Sequence, residues 1–312
     1  MSWVLYLFGS GQALFLGAGM ILAAVGVLPR VKTVWKGAAL AMVARVGLAI
    51  VVLSAAPLSY WLYAVAIGLT AIWLWRERRM SGEREASASR CEGQSHPGQE
   101  PYRGAYAPRS PTVILRRATV LIWLGIITLE LPQQFAPRLP PLGSPPLWII
   151  GDSVTAGMGS NEKTWPDLLP ESVEVHNLAR PGATTAMALR SQANQLPAAG
   201  GLVLIEIGGN DLLLEGGSAI QFQRDLDQLL SQIGAPHRTL VMFELPLPPL
   251  CNEYGRIQRR LAARYGVRLI PKRVFISVLA GGGATLDTIH LSEAGHQQMA
   301  DEVWNVIGPA YR

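Results

Sequence analysis

The sequence predicts two parts of different class: an all-α transmembrane domain of about four helices, then a three-layer α/β/α domain with a parallel sheet. Two observations separate them. Residues 1–75 contain four basic residues and no acidic residue, whereas charged residues occur at ordinary density from residue 147 onward. In the second part, short apolar runs bounded by turn residues alternate with amphipathic stretches, which is the pattern of parallel strands covered by helices.

The transmembrane prediction rests on four apolar runs. They are Trp3–Leu28, Gly37–Ala56, Leu58–Trp75 and a weaker run at roughly Thr112–Leu131. A helix needs about 20 apolar residues to cross a bilayer, so each run is interpreted as one span. The first run lacks the basic start of a cleaved signal peptide and is interpreted as a retained helix. The predicted membrane domain covers residues 1–131.

The distribution of charge gives the expected orientation. Up to residue 146 there are 14 Lys and Arg against 6 Asp and Glu, and beyond it 13 against 16. The positive excess flanks the apolar runs and avoids the second domain, which excludes a nucleic-acid partner. Placing the basic loops 29–36 and 76–117 in the cytoplasm puts the C-terminal domain on the outer side of the membrane.

Two connecting segments are expected to lack regular structure. Residues 76–117 are rich in Arg, Ser and Gly and predict a mobile cytoplasmic loop. Residues 132–146 contain many prolines and predict an extended linker before the domain of residues 147–312. The two cysteines, Cys91 and Cys251, fall on opposite sides of the membrane in this topology, so no disulfide and no cysteine-based metal site is expected.

Within residues 147–312, five strands and four main helices are expected. The strands are predicted at Leu147–Ile150, Val173–Asn177, Leu202–Ile207, Leu240–Glu244 and Val267–Ile270. The helices are predicted at Thr184–Gln195, Ala219–Ile233, Asn252–Tyr265 and Ser292–Val306. Because the carboxyl ends of parallel strands share one edge of the sheet, a functional site is expected there.

Four polar turns point to that edge. Three of them follow successive strands and one precedes the last helix: Gly151-Asp152-Ser153, Arg180–Thr185, Gly208–Asp211 and Asp287–His290. A serine at a strand-to-helix turn presents its hydroxyl outward, and an asparagine amide or a glycine N–H can donate to a developing oxyanion. An Asp three residues before a His can fix the imidazole tautomer that leaves the other nitrogen free as a base.

In order and spacing, these four segments resemble the four sequence blocks of SGNH/GDSL hydrolases. The resemblance covers about 165 residues and implies a flavodoxin-like fold with Ser153 as nucleophile, His290 as general base and Asp287 as its orienting carboxylate. It also implies an oxyanion hole made by Ser153, Gly182 and Asn210 and a reaction that needs neither a metal nor an organic cofactor.

Features such as TWPDLL and ELPLP resemble the periplasmic thioesterase/lysophospholipase and arylesterase branch of this family. The resemblance implies a serine esterase that cleaves an ester or thioester of a small molecule or lipid. The apolar runs and the basic loops add the expectation that it is anchored in a bacterial inner membrane with its hydrolase domain on the periplasmic side. Two alternatives stay open. One is an acyltransferase or O-deacetylase acting on an envelope glycan with the same triad, and the other is a membrane protein whose hydrolase-like domain only binds a ligand. The sequence does not indicate an oligomeric state.

Overall fold

The computed structural model describes residues 3–30, 34–54, 56–92, 111–159, 161–198, 200–213, 217–287 and 289–312. The chain forms two compact units. The helical unit consists of Ala13–Leu53 and Leu58–Glu130. The sheet unit consists of Met1–Gln12, Ser54–Pro57 and Leu131–Arg312, so it recruits two short segments from the N-terminal part of the chain.

The N-terminal part contributes five of the described helices. They are α1 (Trp3–Gly9), α2 (Gln12–Val27), α3 (Val34–Val52), α4 (Tyr60–Glu92) and α5 (Pro111–Glu130), the last continued by a 3₁₀ turn at Leu131–Gln134. In the helical unit, α2 and α3 approach closely through Gly17 and Gly47, because a Cβ added to Gly17 would lie 2.5 Å from the Gly47 carbonyl oxygen. The indole of Trp123 on α5 donates a 2.9 Å hydrogen bond to the hydroxyl of Thr70 on α4.

The prediction that Trp3–Leu28 forms one helix is wrong. The run breaks at Ser10 and Gly11, where Gly11 has a φ of 79°, and α1 belongs to the sheet unit. Hydropathy does not detect this break, because both sides of it are apolar. Among the described helices, Pro111–Gln134 is long and apolar enough on its own to cross a membrane, and the pair α1 and α2 would be a second candidate if counted as one broken span. The apolar helix Gly37–Val52 is shorter.

The two connecting segments also differ from the expectation. Residues 76–92 continue α4 instead of forming a loop, and residues 111–117 begin α5. The side chain of Cys91 and residues 93–110 lie outside the described part of the chain. The proline-rich segment 132–146 is not a free spacer, because Leu139 is buried in the core of the sheet unit and the Leu142 N–H donates to the Ala310 carbonyl at 2.8 Å.

The sheet unit contains five parallel strands, which confirms the predicted parallel α/β fold. The strands are β1 (Leu147–Gly151), β2 (Val175–Asn177), β3 (Gly201–Glu206), β4 (Arg238–Phe243) and β5 (Arg268–Ile270). Their order in the sheet is β2-β1-β3-β4-β5. The register of β1 against β3 places Gly151 beside Glu206 at the carboxyl edge.

Helices cover both faces of the sheet. They are α6 (Ser153–Ala156), α7 (Thr185–Met187), α8 (Gly209–Leu213), α9 (Ala219–Ile233), α10 (Asn252–Tyr265), α11 (Lys272–Leu279) and α12 (Glu293–Ile307). The predicted helix Thr184–Gln195 is divided into α7, a π-helical turn at Ala188–Gln192 and a 3₁₀ turn at Ala193–Gln195. Helix α11 was not predicted.

Alternate strand residues face opposite layers, as the pleat of a β-strand requires. Leu202 and Leu204 join the apolar core under α11 and α12, whereas Val203 and Ile205 join the core under α9 and α10. Both faces of the central strand β3 are therefore buried, which accounts for the continuous apolar run in its sequence.

Candidate active site

Ser153 lies at the turn that connects β1 to α6. Asp152 caps this short helix, because its Oδ1 accepts a hydrogen bond from the Val154 N–H at 3.0 Å. Gly151 permits the tight turn, since a Cβ at this position would lie 2.8 Å from the hydroxyl oxygen of Thr155. The turn thus places Ser153 at the carboxyl edge of the sheet, with 7% of its surface exposed.

The backbone of this turn is held by a glutamine that the sequence did not single out. The side-chain oxygen of Gln192 accepts from the Gly151 N–H at 3.0 Å, and its NH₂ group donates to the Gly151 carbonyl at 2.9 Å. Gln192 is fully buried at the end of the π-helical turn. These two bonds supply hydrogen-bond partners to the backbone N–H and carbonyl of the last residue of β1. Gln192 therefore helps to fix the turn that carries Ser153.

A buried pair of carboxyl groups lies directly behind the turn. Glu206, the last residue of β3, accepts hydrogen bonds from the Thr155 hydroxyl at 2.9 Å and the Asp152 N–H at 3.4 Å. Burial raises the pKa of Glu206 well above its ordinary value, and burial raises the pKa of Asp152 to about 6. The nearby Asp152 carboxylate adds to the rise in the pKa of Glu206, which therefore takes up a proton more readily than an exposed glutamate.

Asn210 lies at the start of α8, just beyond β3. Its side-chain Nδ2 donates to the Ala183 carbonyl at 3.0 Å and to Oδ2 of Asp152 at 3.3 Å. Gly208, two residues earlier, has a φ of 114°, a conformation that favours glycine. The short bond to Ala183 fixes the amide, and the longer bond to Asp152 is the one that could be exchanged for a bond to a ligand.

Gly182 lies in the turn after β2, directly before Ala183, whose carbonyl accepts the hydrogen bond from Asn210. It is exposed and has a φ of 71°. Asp211, the residue after Asn210 in α8, links α8 to this turn. Its carboxylate accepts hydrogen bonds from the N–H and the hydroxyl of Thr185 at 2.8 and 3.0 Å. The second and third predicted turns are therefore joined by direct hydrogen bonds.

His290 and Asp287 form the fourth turn. Oδ2 of Asp287 lies 2.7 Å from Nδ1 of His290, and Oδ1 of Asp287 accepts from the N–H groups of Ile289 and His290 at 2.7 and 2.8 Å. The hydrogen bond from His290 and these two backbone bonds hold the pKa of Asp287 below its usual range. An ionised Asp287 keeps the proton of His290 on Nδ1 and leaves Nε2 as the acceptor.

Ser153, Asn210 and His290 line one cavity of about 360 Å³, which lies wholly within the sheet unit. Gly182 and Asp287 are not among its lining residues. Among the described residues that line the cavity, the polar side chains are confined to Asp152, Ser153, Glu206, Asn210 and His290. The remaining wall is apolar, and we call the part of the cavity that these five side chains line its polar end.

A second histidine stabilises the segment that follows Ser153. The Trp165 N–H donates to Nδ1 of His296 at 3.2 Å, and Nε2 of His296 lies 3.1 Å from Oε1 of Glu162. Burial lowers the pKa of His296, which keeps it neutral with its proton on Nε2, facing Glu162. Glu162 in turn accepts from the Met158 and Gly159 N–H groups. His296 is a buried residue of α12 that connects this helix to the segment after Ser153.

The chain is similar to several known proteins. A sequence profile of the GDSL-like Lipase/Acylhydrolase family matches residues 149–298. An arylesterase from Vibrio mimicus is 32% identical over 142 residues, covering 40% of this chain and 69% of the relative. Among solved structures, TesA is 27% identical, with 53% of this chain and 98% of its own covered and a TM-score of 0.46. The psychrotrophic esterase EstA from Pseudoalteromonas sp. is 20% identical, with 53% and 97% covered and a TM-score of 0.46.

The sheet unit carries the family match, and the identity to the arylesterase extends over more than two thirds of that relative. The chain therefore belongs to the GDSL-like lipase/acylhydrolase family. It is an ester-hydrolysing enzyme of the GDSL/SGNH type.

The buried carboxyl pair predicts a pH dependence of stability. The pKa values of Asp152 and Glu206 are raised on folding, so the folded state binds more protons than the unfolded chain. The contribution of these two groups to the free energy of unfolding is complete below their unfolded pKa of about 4. It is lost as the pH rises through their pKa values in the folded state, from about 6 upward for Asp152. Glu206→Gln keeps a donor to Asp152 and an acceptor for Thr155 but cannot ionise. Between pH 5 and pH 8, the midpoint of urea unfolding should fall less for this variant than for the parent.

The matched control is Glu171→Gln, which replaces an exposed glutamate and should retain the parent's pH dependence. If Glu206→Gln instead follows the parent curve between these pH values, Glu206 does not carry the proton assigned to it.

Proposed function

We propose that the chain is a membrane-anchored serine esterase that cleaves an acyl ester or thioester through Ser153, His290 and Asp287. The observation that carries the proposal is the cavity, because Ser153 and His290 both line its polar end while Asp287 binds Nδ1 of His290 at 2.7 Å. Nucleophile, base and orienting carboxylate are the three groups that acyl transfer through serine needs.

The proposed reaction has two steps. The hydroxyl oxygen of Ser153 attacks the carbonyl carbon while Nε2 of His290 takes the hydroxyl proton, and the leaving alcohol or thiol then receives that proton. Water, activated by the same nitrogen, releases the acid and restores the serine. Asp287 stabilises the imidazolium in both steps. Neither a metal nor an organic cofactor enters this sequence.

The oxyanion of the tetrahedral intermediate would be held by three donors. These are the Ser153 N–H, the Gly182 N–H and the Nδ2 group of Asn210. Support comes from the shared position of Ser153 and Asn210 at the cavity and from the bond that ties Asn210 to Ala183, the residue after Gly182. Donors held rigidly at this position stabilise the transition state without further rearrangement.

The apolar wall of the cavity favours a lipid-like acyl group over an envelope glycan. A sugar needs several hydrogen-bonding side chains around its hydroxyl groups, and the described lining residues beyond the polar end are apolar. A medium-length or long acyl chain matches such a wall, because its burial is favourable by about 0.8 kcal/mol per methylene group. We therefore propose a lysophospholipid-like or similar fatty ester as the substrate.

Membrane anchoring is supported by the outer surface of the helical unit. Large apolar side chains are exposed on its helices, including Trp61 on α4 (64%) and Leu121 on α5 (68%). The span Pro111–Gln134 is only 17% buried within the protein. Such an apolar exterior is stable in lipid and unfavourable in water. We propose that this unit lies in a bacterial inner membrane and that the hydrolase domain faces the periplasm, as the basic segments indicate.

Ser153→Ala should abolish labelling of the full-length protein by a fluorophosphonate probe, because the probe bonds to an activated serine oxygen. Hydrolysis of p-nitrophenyl esters should be lost in the same variant. Ser231→Ala, which removes an exposed serine on α9, is the control and should keep both signals. Labelling that persists in Ser153→Ala would assign the nucleophile to another residue.

Asn210→Ala should lower kcat by about 10²–10³ with a small change in KM, because an oxyanion donor acts mainly in the transition state. His290→Ala should cost more, since it removes the base. Asn194→Ala is a matched control: its amide also donates to a backbone carbonyl, that of Arg190 at 2.8 Å, but it does not line the cavity. A rise in KM with kcat unchanged would identify Asn210 as a ground-state contact instead.

The proposed orientation can be tested with thiol labelling in intact bacterial cells. Ser144→Cys places a cysteine at an exposed position just before β1. A membrane-impermeant maleimide should label this cysteine and should not label Cys91. The reverse pattern would place the hydrolase domain in the cytoplasm. Permeabilised cells, in which the reagent reaches both sides of the membrane, provide the control.

A further inference from the structure

The apolar wall of the cavity is built from two distant parts of the sequence. The segment after β4 contributes Leu245 and Leu247, and α11 contributes Phe275 and Ile276. The other contribution comes from α1, which supplies Leu5, Phe8 and Gly9. Helix α1 lies far outside residues 149–298, which carry the family match.

The three contributing residues of α1 occupy one face of the helix. Positions 5, 8 and 9 follow the spacing i, i+3 and i+4 that brings side chains together on an α-helix. Trp3 lies on the opposite side of α1 and is 75% exposed, and Val4, which is 43% exposed, does not line the cavity. The helix therefore presents a defined apolar face to the cavity.

Packing fixes α1 against the sheet unit. Tyr6 packs on the apolar core under α11 and α12. Gly9 allows close contact with α11, because a Cβ there would lie 3.0 Å from Cγ1 of Ile276. The next turn is also held, since the Ser10 N–H donates to the Tyr6 carbonyl at 2.9 Å and Nε2 of Gln12 donates to the Tyr6 hydroxyl at 3.3 Å.

We infer that α1 is part of the acyl-binding site and that Leu5 and Phe8 determine which acyl chain lengths the enzyme accepts. The inference rests on the proposed function, in which the ester carbonyl lies beside Ser153. An acetyl group remains at the polar end of the cavity and does not reach α1. An unbranched, uncharged fatty acyl chain extends along the apolar wall and contacts Leu5 and Phe8, so these side chains contribute to binding of long chains only.

The experiment measures kcat/KM of the full-length protein in detergent micelles for p-nitrophenyl esters from acetate to dodecanoate. Phe8→Ala removes part of the wall and should lower kcat/KM for the longer esters by about tenfold, the scale on which apolar pockets discriminate. The value of kcat/KM for p-nitrophenyl acetate should change by less than a factor of two. Leu5→Trp should likewise lower the rate for long chains by narrowing the cavity and leave acetate hydrolysis intact. Titration with a small fluorophosphonate normalises each rate to the number of competent sites.

Val4→Ala is the matched control, because it truncates an exposed apolar residue of the same helix and should keep the parent's chain-length profile. If the parent neither hydrolyses acetate nor reacts with the probe at Ser153, the proposed function itself is wrong. A second outcome concerns α1 alone. If the parent is active and both Phe8→Ala and Leu5→Trp leave the chain-length profile unchanged, or lower kcat/KM equally for acetate and for long esters, α1 does not select the acyl chain.

Discussion

Asp152 connects three elements that meet at the carboxyl edge of the sheet. Its carboxylate oxygens accept from the Val154 N–H in α6 and from the Asn210 amide in α8, and its backbone N–H donates to Glu206 at the end of β3. A buried carboxyl group is unfavourable unless its oxygens are satisfied. Because these partners satisfy it together, a shift of any one element would leave buried oxygens without donors. This constraint keeps the serine turn and the asparagine amide in register.

The parallel sheet supplies the positions that this network joins. Gly151 and Glu206 are neighbours at the carboxyl edge because β1 and β3 run in the same direction in matched register. The loops that follow these strands must then leave the sheet on the same side, which brings the residues of both turns to one cavity. Gln192 completes the edge, because its side-chain amide bonds to both the N–H and the carbonyl of Gly151.

Much of the sheet unit could be predicted from the sequence, since apolar runs and turn residues alternate clearly there. The polar turns were visible because Ser153, Asn210 and His290 stand beside glycines or at strand and helix ends. Glu206 and Gln192 were not recognised, because a polar residue at the end of an apolar strand or in an amphipathic helix carries no signal of its partner. Their function depends on contacts over 41 to 54 residues of sequence, which no local pattern encodes.

Helix α1 shows a different limit of sequence reasoning. An apolar side chain that binds lipid, one that packs in a core and one that lines a cavity have the same hydropathy, so the run Trp3–Leu28 gave no sign of its division. The break at Gly11 assigns α1 to the sheet unit and α2 to the helical unit. The chain then returns to the sheet unit at Ser54–Pro57, where Pro57 meets Gly255 of α10 so closely that a Cβ on that glycine would lie 2.8 Å away. The short segments Met1–Gln12 and Ser54–Pro57 thus belong to the sheet unit. The N-terminal part of the chain consequently contributes to the catalytic fold itself, a role that is independent of any contribution it makes to anchoring.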